Sequence, residues 1–442
     1  MLRSTYRNFS FSDNQLFCIF HIFIICDLHN PAFSPPNMLD VLSNPAFWQY
    51  FSIPFVAAFV GWFTNWIAIQ MLFYPIEPVG KPPFLGWVGI LPSRAEKMAR
   101  ITTNNTLNKV GTVKELFHAM DPDKIAAHIT TIIDRQLPFY IEEIILRENP
   151  TVWEMLPEVA KNRIIEEVRL QLPATVHRMM QDISINVEQM LDVHHLVLHQ
   201  VLKDRSIINR IFLSCGQKEF DFIIYSGAVL GFFFGLLQML AWWLYPAWWQ
   251  LPFWGIFVGF ATNWVALRII FQPLNPIQIG PYLLQGLFLK RQPTVAVTWS
   301  EIIANDILNV ENVIHNLLYG PKSDRTQIII RTYIRNIVDE VAGIAKPVVQ
   351  WVVGLEHYIH MKEAASDRVI SLTASALGDT DFKRQEANLL KNMLSTRVKE
   401  LSSTSFQDFL RPAFQEDEIK LIIIGGALGF ITGVLQYFIT FG

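Results

Sequence analysis

Charged residues and cysteines are both scarce in this sequence. Only 17% of the 442 residues are charged, whereas 51% are hydrophobic. The net charge of −3, without any run of clustered Lys and Arg, gives no reason to expect a nucleic-acid partner. Cys18, Cys26 and Cys215 form no CxxC pair, so the sequence predicts neither a disulfide framework nor a zinc knuckle. Composition therefore favours a protein that is partly membrane and partly soluble.

Sequence motifs of common enzymes are also missing. The chain contains no Walker loop, no dinucleotide-binding glycine fingerprint, no nucleophile elbow and no paired carboxylates within its apolar runs. His195 and His199 lie four residues apart on a predicted helix. Without further ligands, such a pair is usually a solvated or packed face rather than a metal site. The sequence therefore predicts a non-enzymatic protein without a metal or a cofactor.

What the chain does contain is long stretches without any charged residue. They cover residues 41–76, 222–267 and 421–441, and a helix that spans a bilayer needs about 20 residues. The middle stretch is about twice that length and has Pro246 near its centre, which predicts a helical hairpin with a tight turn. Pro54 is predicted to end an interfacial lead-in to the first span. The predicted fold is all-α and integral to the membrane, with four transmembrane helices at about residues 53–74, 221–243, 250–272 and 420–441.

The second half of the sequence repeats the first at an offset of 198 residues (252 − 54). Residues 54–68 recur as residues 252–266. The same offset relates two glycine ladders that each end on a glutamine: Gly227, Gly231, Gly235 and Gln238, and Gly425, Gly429, Gly433 and Gln436. Residues 41–243 and 244–442 are therefore predicted repeats. Because each repeat contains two spans, both enter the membrane in the same sense and are parallel.

A long soluble segment connects the two spans of each repeat. Residues 92–219 and 290–418 carry apolar side chains at spacings of three and four, which is typical of amphipathic helices and coiled-coil packing. Asp121 followed by Pro122 predicts a helix start, and Pro173 predicts a bend. Lys and Arg flank the spans beside both segments, whereas the turn between the second and third spans has none. The positive-inside rule therefore predicts that both segments are cytoplasmic insertions.

Residues 1–40 form an N-terminal extension of open status. Arg3 and Arg7 precede an apolar stretch that is too short to span a bilayer. This resembles a signal peptide, although Asp13 intervenes and no small-residue cleavage pattern follows. The alternative is that translation begins at Met38, shortly before the first predicted span.

Four polar residues lie near the middle of the first and third predicted spans: Thr64, Asn65, Thr262 and Asn263. A buried amide without a partner is costly in lipid, so these side chains must face protein or a cavity. One interpretation is helix packing, since Gly61 and Gly259 share a helix face with the asparagines. The other is that the Thr-Asn pairs line a path for a solute or an ion.

The glycine ladders of the second and fourth spans are a further candidate site. The residues concerned are Gly231, Gly235, Gly429 and Gly433, with Gln238 and Gln436. Glycines four residues apart form a flat strip on one helix face, which lets another backbone approach closely. We predict helix packing for the glycines and a hydrogen bond to an Asn or another Gln for the glutamines, with a role in a pathway as the alternative.

One motif carries a family resemblance. It reads G-x-x-T-N-x-x-A from Gly61 to Ala68 and F-x-P-x-x-P from Phe73 to Pro78, followed by Gly89-Ile-Leu-Pro-Ser-Arg94. Over residues 41–442 the chain resembles the bacterial membrane proteins of domain-of-unknown-function family 445. The resemblance implies a bacterial cytoplasmic-membrane protein, but no established activity and no catalytic residues. The second copy departs from the pattern, because residues 286–291 lack the proline, so a different turn is expected there.

Composition, repeats and resemblance together give two functional hypotheses. The first is a scaffold or interaction platform of the bacterial cell envelope, whose partners are the lipid bilayer and either further copies of the chain or other membrane proteins. It follows from the soluble mass, which exceeds half of the chain. The alternative is an oligomeric transporter or channel-like conduit that uses the Thr-Asn pairs.

Overall fold

The computed structural model describes residues 45–80, 87–101, 103, 108–343, 346, 350, 353–408 and 418–440. The predicted N-terminal extension, residues 1–40, lies outside this part of the chain. The described chain is nearly all helical and falls into two compact units. We call the described residues within 1–68, 222–266 and 420–442 the apolar unit, and those within 69–221 and 267–419 the polar unit. Each unit takes segments from both halves of the sequence.

The helices and strands are numbered in chain order. They are α1 Pro45–Phe73, α2 Ile90–Ser93, α3 Ala95–Ile101, α4 Asn108–Val110, α5 Val113–His118, α6 Pro122–Glu148, α7 Pro150–Met155, α8 Glu158–Met190, α9 Val193–Lys203, α10 Ser206–Leu244, α11 Gln250–Phe271, β1 Ile277–Ile279, β2 Tyr282–Leu284, α12 Leu287–Lys290, α13 Gln292–Ile302, a π-helical turn Ile303–Ile307, α14 Val310–Tyr319, α15 Ser323–Ala342, α16 Leu355–Ala376, α17 Thr380–Lys399 and α18 Glu418–Thr440.

Four of these helices, α1, α10, α11 and α18, are long and apolar enough to cross a membrane. The qualifying stretches are Phe47–Phe73, Ser206–Leu244, Gln250–Phe271 and Glu418–Ile439. Each predicted span falls on one of them, so the prediction of four candidate spans in a helical fold is confirmed. Residues 245–249 join α10 to α11, as predicted for a tight turn.

α1 begins earlier than the first predicted span. The prediction placed Pro54 at the end of an interfacial lead-in, but α1 is continuous from Pro45 to Phe73 with Pro54 inside it. A proline inside a helix removes one N–H donor. Membrane helices tolerate this because neighbouring groups compensate for the freed carbonyl. Pro173 likewise lies inside the continuous helix α8.

Near the α10–α11 turn, side chains from all four helices of the apolar unit pack together. Three buried residues form a cluster, with three partly buried residues packed against it: Ile53, Trp242 and Leu251, and Tyr50, Met239 and Tyr437. Gln250 Nε2 donates a hydrogen bond to the Tyr245 carbonyl across the turn. Apolar packing therefore joins the helices at this end of the unit.

The polar unit interleaves helices from both predicted soluble segments. α8 packs against α6 and α15, and α16 packs against the same two helices. The predicted apolar stripe of α8 is buried from Leu172 to Met190, as is Ile334 on α15. Asp121 accepts a hydrogen bond from the Lys124 backbone N–H at 3.3 Å, which confirms the predicted start of α6. The spacing of apolar residues thus predicted which helix faces are buried.

A short β-hairpin was not predicted. β1 and β2 pair antiparallel, with Ile277 opposite Leu284, and are joined by Gly280 and Pro281. Gly280 has a φ of +60°, the conformation that the first turn position of a two-residue hairpin requires and that glycine adopts without strain. In the first half, Val79 and Trp87 form a single antiparallel bridge. The fold is therefore nearly all-α rather than strictly all-α.

Candidate functional site: two helix crossings in the apolar unit

The two predicted asparagines each reach across to the backbone of another helix. Asn65 is completely buried, and its Nδ2 donates to the Ile223 carbonyl on α10 at 2.7 Å. Asn263 is 4% exposed, and its Nδ2 donates to the Leu421 carbonyl on α18 at 3.0 Å. In both cases the two residues are 158 positions apart in the sequence. Each amide therefore acts as an interhelical hydrogen-bond donor.

The threonines that precede these asparagines bond within their own helices. Thr64 Oγ1 donates to the Val60 carbonyl at 2.9 Å, and Thr262 Oγ1 donates to the Val258 carbonyl at 2.8 Å. This i to i−4 pattern is the usual way in which a helical hydroxyl is satisfied without solvent. Both threonines are fully buried. Their hydroxyls are thus occupied by backbone rather than directed at a path.

Glycines bring α1 and α10 into backbone contact beside Asn65. A Cβ atom on Gly61 would lie 2.2 Å from the Gly227 carbonyl oxygen, and one on Gly231 would lie 2.4 Å from the Ala57 carbonyl oxygen. A Cβ on Gly235 would lie 2.6 Å from Pro54 Cα. No side chain larger than hydrogen fits at these three positions unless the helices move apart.

α11 and α18 cross in the same manner. A Cβ atom on Gly259 would lie 2.1 Å from the Gly425 carbonyl oxygen, and one on Gly429 would lie 2.0 Å from the Gly255 carbonyl oxygen. A Cβ on Gly433 would lie 2.5 Å from the Leu251 carbonyl oxygen. The predicted packing role of the glycine ladders therefore has a direct geometric basis in both pairs.

The structure does not bring the glutamines to the asparagines. Gln238 and Gln436 are 3% and 5% exposed. Each lies 15 residues along its helix (238 − 223 and 436 − 421) from the carbonyl that the asparagine reaches. At the helical rise this is about 22 Å, too far for a hydrogen bond between the two amides.

The asparagine amides lie off the centre of the apolar runs. Their acceptors, Ile223 and Leu421, follow Asp221 and Lys420 by two residues and one residue. Asn65 Oδ1 is buried there and has no hydrogen-bond partner among the described residues.

The two histidines considered for a metal site pack on α9. The His195 and His199 rings are stacked with centroids 6.0 Å apart, and Asn316 Nδ2 lies 3.2 Å from His195 Nδ1. The His195 backbone N–H donates to Asp192 Oδ1 at 2.9 Å, which caps the helix. Within the described part of the chain, no three His, Cys, Asp or Glu residues are grouped to hold a metal ion.

Sequence reasoning missed one buried ion pair in the polar unit. Arg291 Nη1 lies 2.8 Å from Glu219 Oε1 and 2.7 Å from Glu219 Oε2, and the Glu219 side chain is only 4% exposed. In the sequence, Arg291 is one of several basic residues that follow the third predicted span. No spacing rule links two charges 72 residues apart, so the pair carries no local signal.

The crossings are the only feature of the predicted site that the described residues assemble. The Thr-Asn pairs and glycines lie at helix contacts, and the glutamines lie elsewhere on the same helices. No family model matches the chain, nor does any curated protein or solved structure.

Proposed function

We propose that this chain is a non-enzymatic integral membrane protein whose cytoplasmic helices act as a scaffold or interaction platform of the bacterial cell envelope. The observation that carries the proposal is the interleaving of α6, α8, α15 and α16. These helices come from both soluble segments, so the polar unit is a single helical body rather than two separate insertions. The polar unit takes residues within 69–221 and 267–419, which is more chain than attachment to a membrane requires.

The same proposal includes two parallel two-span repeats. It is supported by the matching contacts of the two crossings, in which Gly61 contacts Gly227 and Gly259 contacts Gly425. The asparagine hydrogen bonds match as well, at an identical sequence separation. An even number of spans in each repeat makes the two repeats parallel, with both polar segments on one side of the membrane.

Exposed apolar side chains on the polar unit support a role in binding partners. Met155 and Val159 are 78% and 81% exposed and lie within five residues of each other at the α7–α8 turn. Apolar side chains grouped on a surface are characteristic of contact sites for proteins or membranes. We therefore assign the α7–α8 turn to a contact with another copy or another membrane protein.

The conduit hypothesis has less support. A lining residue must present its polar group to water, whereas the Asn65 and Asn263 amides and both threonine hydroxyls bond to helix backbones. The close glycine contacts leave no gap between the paired helices at these positions. Packing accounts for the same residues without a solute.

Site-specific photocrosslinking in native membranes tests the platform. Met155→p-benzoylphenylalanine in the full chain should give discrete protein adducts, whereas the same residue at Asn392, an exposed polar position on α17, should not. The adducts should be absent without irradiation. If neither position gives an adduct, or both give the same background, the platform proposal is wrong.

Cysteine labelling tests the orientation separately. All three native cysteines are replaced first, including Cys215, which is only 2% exposed. With one cysteine introduced at Asn392, an impermeant maleimide should react only after the membrane of spheroplasts is opened. A cysteine at Trp248, in the α10–α11 turn, should react from outside. The reverse pattern would refute the cytoplasmic assignment.

A further inference from the structure

The polar unit contains a cavity that neither the platform nor the helix crossings use. It lies between α6, α8, α15 and α16 and has a volume of about 380 Å³. Protein interiors are close-packed, and voids larger than a water molecule are few. Ligand pockets typically measure about 300–1,000 Å³. The cavity is thus of ligand size rather than a packing defect.

The lining of the cavity extends along two helices. Its lining runs from Tyr358 to Leu372 on α16 and from Ile133 to Ile145 on α6. At 1.5 Å per residue these stretches measure about 21 Å and about 18 Å. Ile144, Ile145 and Val168 are half-buried, so the cavity is partly open along one side. Such a shape fits one extended chain and is too small for a lipid with two.

The lining is almost entirely aliphatic. Isoleucine, leucine, valine, alanine and methionine make up all of it except two tyrosines and Arg368. A polar cofactor or a nucleotide needs several polar groups to fix its orientation. This cavity offers only a few, so the occupant is mainly hydrocarbon.

Among the described residues that line the cavity, Arg368 carries the one charge. Its Nη2 pairs with Glu143 Oε2 at 2.8 Å, and its guanidinium carbon lies 4.9 Å from the centre of the Tyr140 ring. Its Nε is buried and has no hydrogen-bond acceptor among the described residues. A buried donor without an acceptor is unfavourable, so a ligand oxygen at Nε would satisfy it.

A second polar group of the lining, the Tyr358 hydroxyl, is already satisfied. Tyr358 OH donates to Asp339 Oδ1 at 2.8 Å, and Asp339 is also paired with Lys346 at 3.0 Å and with Lys362. Burial and the bond to Asp339 raise the pKa of Tyr358, so it stays a neutral donor. A ligand oxygen that accepts a hydrogen bond is therefore expected at Arg368 Nε and not at Tyr358.

We infer that this cavity binds a single acyl chain with an anionic head group. The head group accepts a hydrogen bond from Arg368 Nε, and the hydrocarbon lies along α6 and α16. A free fatty acid and a single-chain phospholipid share this chemistry. The inference does not depend on the platform proposal, because it uses only groups inside the polar unit.

Photolabelling of the full-length protein in nanodiscs tests the site. The probe is palmitate with a diazirine on its chain, and labelled peptides are mapped by mass spectrometry. Label is expected within residues 133–145 and 358–372. Ala365 lines the cavity, so Ala365→Phe should fill it and lower labelling there at least fivefold. Ala127→Phe, the same change at an exposed position of α6, should leave labelling unchanged.

A second pair of variants tests the head group. Arg368→Ala should lower labelling at least fivefold. Arg331→Ala should not, because Arg331 pairs with Asp367 at 2.7 Å and is not part of the cavity lining. Helix content and melting temperature, measured by circular dichroism, identify any variant that fails to fold. If Ala365→Phe misfolds, the comparison of Arg368→Ala with Arg331→Ala tests the site instead.

Competition identifies the source of the chain. Unlabelled palmitate displaces the probe if the ligand is a free fatty acid, whereas lysophosphatidylglycerol displaces it more effectively if the ligand is a phospholipid. Displacement by either compound supports the site. Label confined to the membrane-spanning helices, or equal labelling of the Ala365→Phe and Ala127→Phe variants, overturns it.

Discussion

Replacing Gly259 with alanine should force α11 and α18 apart, whereas the same replacement at Gly426 should not. The Cβ atom at position 259 would lie 2.1 Å from the Gly425 oxygen and 2.7 Å from the Gly425 carbonyl carbon. Real Cβ contacts are not shorter than 3.0 Å, so the backbones must separate by at least 0.9 Å (3.0 − 2.1). At position 426 the nearest atom is Ile256 Cγ2 at 3.7 Å, an ordinary contact.

The energetic consequence has three parts. Overpacking costs about 1–3 kcal/mol. A separation of 0.9 Å would stretch the 3.0 Å bond from Asn263 to Leu421 towards 3.9 Å, which breaks it. An interhelical hydrogen bond contributes about 0.6–1.7 kcal/mol, and the better helix propensity of alanine returns about 0.5–1 kcal/mol. We therefore expect a net loss of about 1–4 kcal/mol for Gly259→Ala and a gain of about 0.5–1 kcal/mol for Gly426→Ala.

Titration with SDS in mixed micelles, followed by tryptophan emission, measures the difference. Trp254 and Trp264 lie on α11 and report on this helix pair directly. The Gly259→Ala variant should unfold at a lower SDS fraction than wild type, and the Gly426→Ala variant at an equal or higher one. If both variants unfold at the same SDS fraction, the crossing does not hold the two helices together.

Three further outcomes depend on single side chains. Asn65→Leu should lower the stability of the apolar unit by about 0.6–1.7 kcal/mol without changing solute flux in vesicles; altered flux would contradict a packing role. Burial raises the pKa of the Glu386 carboxyl, so ionisation of this group destabilises the folded protein as the pH rises through that pKa. Glu386→Gln removes the ionisable group and should raise the melting temperature at about pH 8 but not at about pH 4. The same change in melting temperature at both pH values would refute the role of Glu386 ionisation. Arg291→Ala should cost about 3–5 kcal/mol because Glu219 is left unpaired, and adding Glu219→Ala should recover part of the loss in thermal denaturation; additive losses would argue against a buried pair.

The spans were predictable because their signal is local. Length without charge is a property of a continuous stretch, and each of the four predicted spans lies on a helix, although α10 begins 15 residues before its predicted span (221 − 206). The start of α1 was wrong by about eight residues because proline was taken as a boundary, whereas Pro54 lies inside the helix. The hairpin at residues 277–284 was missed although Gly280-Pro281 between apolar residues is a turn signal, because three-residue strands are too short for an alternating pattern to be recognised.

The tertiary contacts could not be predicted from spacing. The asparagine acceptors are backbone carbonyls, which every residue carries, so nothing in the side chains of Ile223 or Leu421 identifies them. The Glu219–Arg291 pair and the cavity around Arg368 each require two segments that are distant in the sequence to meet. The spacing of apolar residues predicts that a helix face is buried. It does not predict that the buried faces of α6, α8, α15 and α16 enclose a cavity.

At each crossing the glycines and the asparagine depend on each other, and this explains why they recur together. Asparagine has a short side chain, so its amide reaches the opposite carbonyl only if the backbones are already close. Gly227 makes that approach possible: a Cβ there would lie 2.4 Å from the Gly61 oxygen and 2.5 Å from Asn65 Nδ2. A larger residue at position 227 would therefore displace both the helix and the amide. In lipid, where apolar contact alone does not distinguish a neighbouring helix from hydrocarbon, close packing and a directed hydrogen bond together fix which helices pair and in which register. The crossings are thus structural elements of the apolar unit, whereas the proposed roles in interaction and ligand binding concern the polar unit.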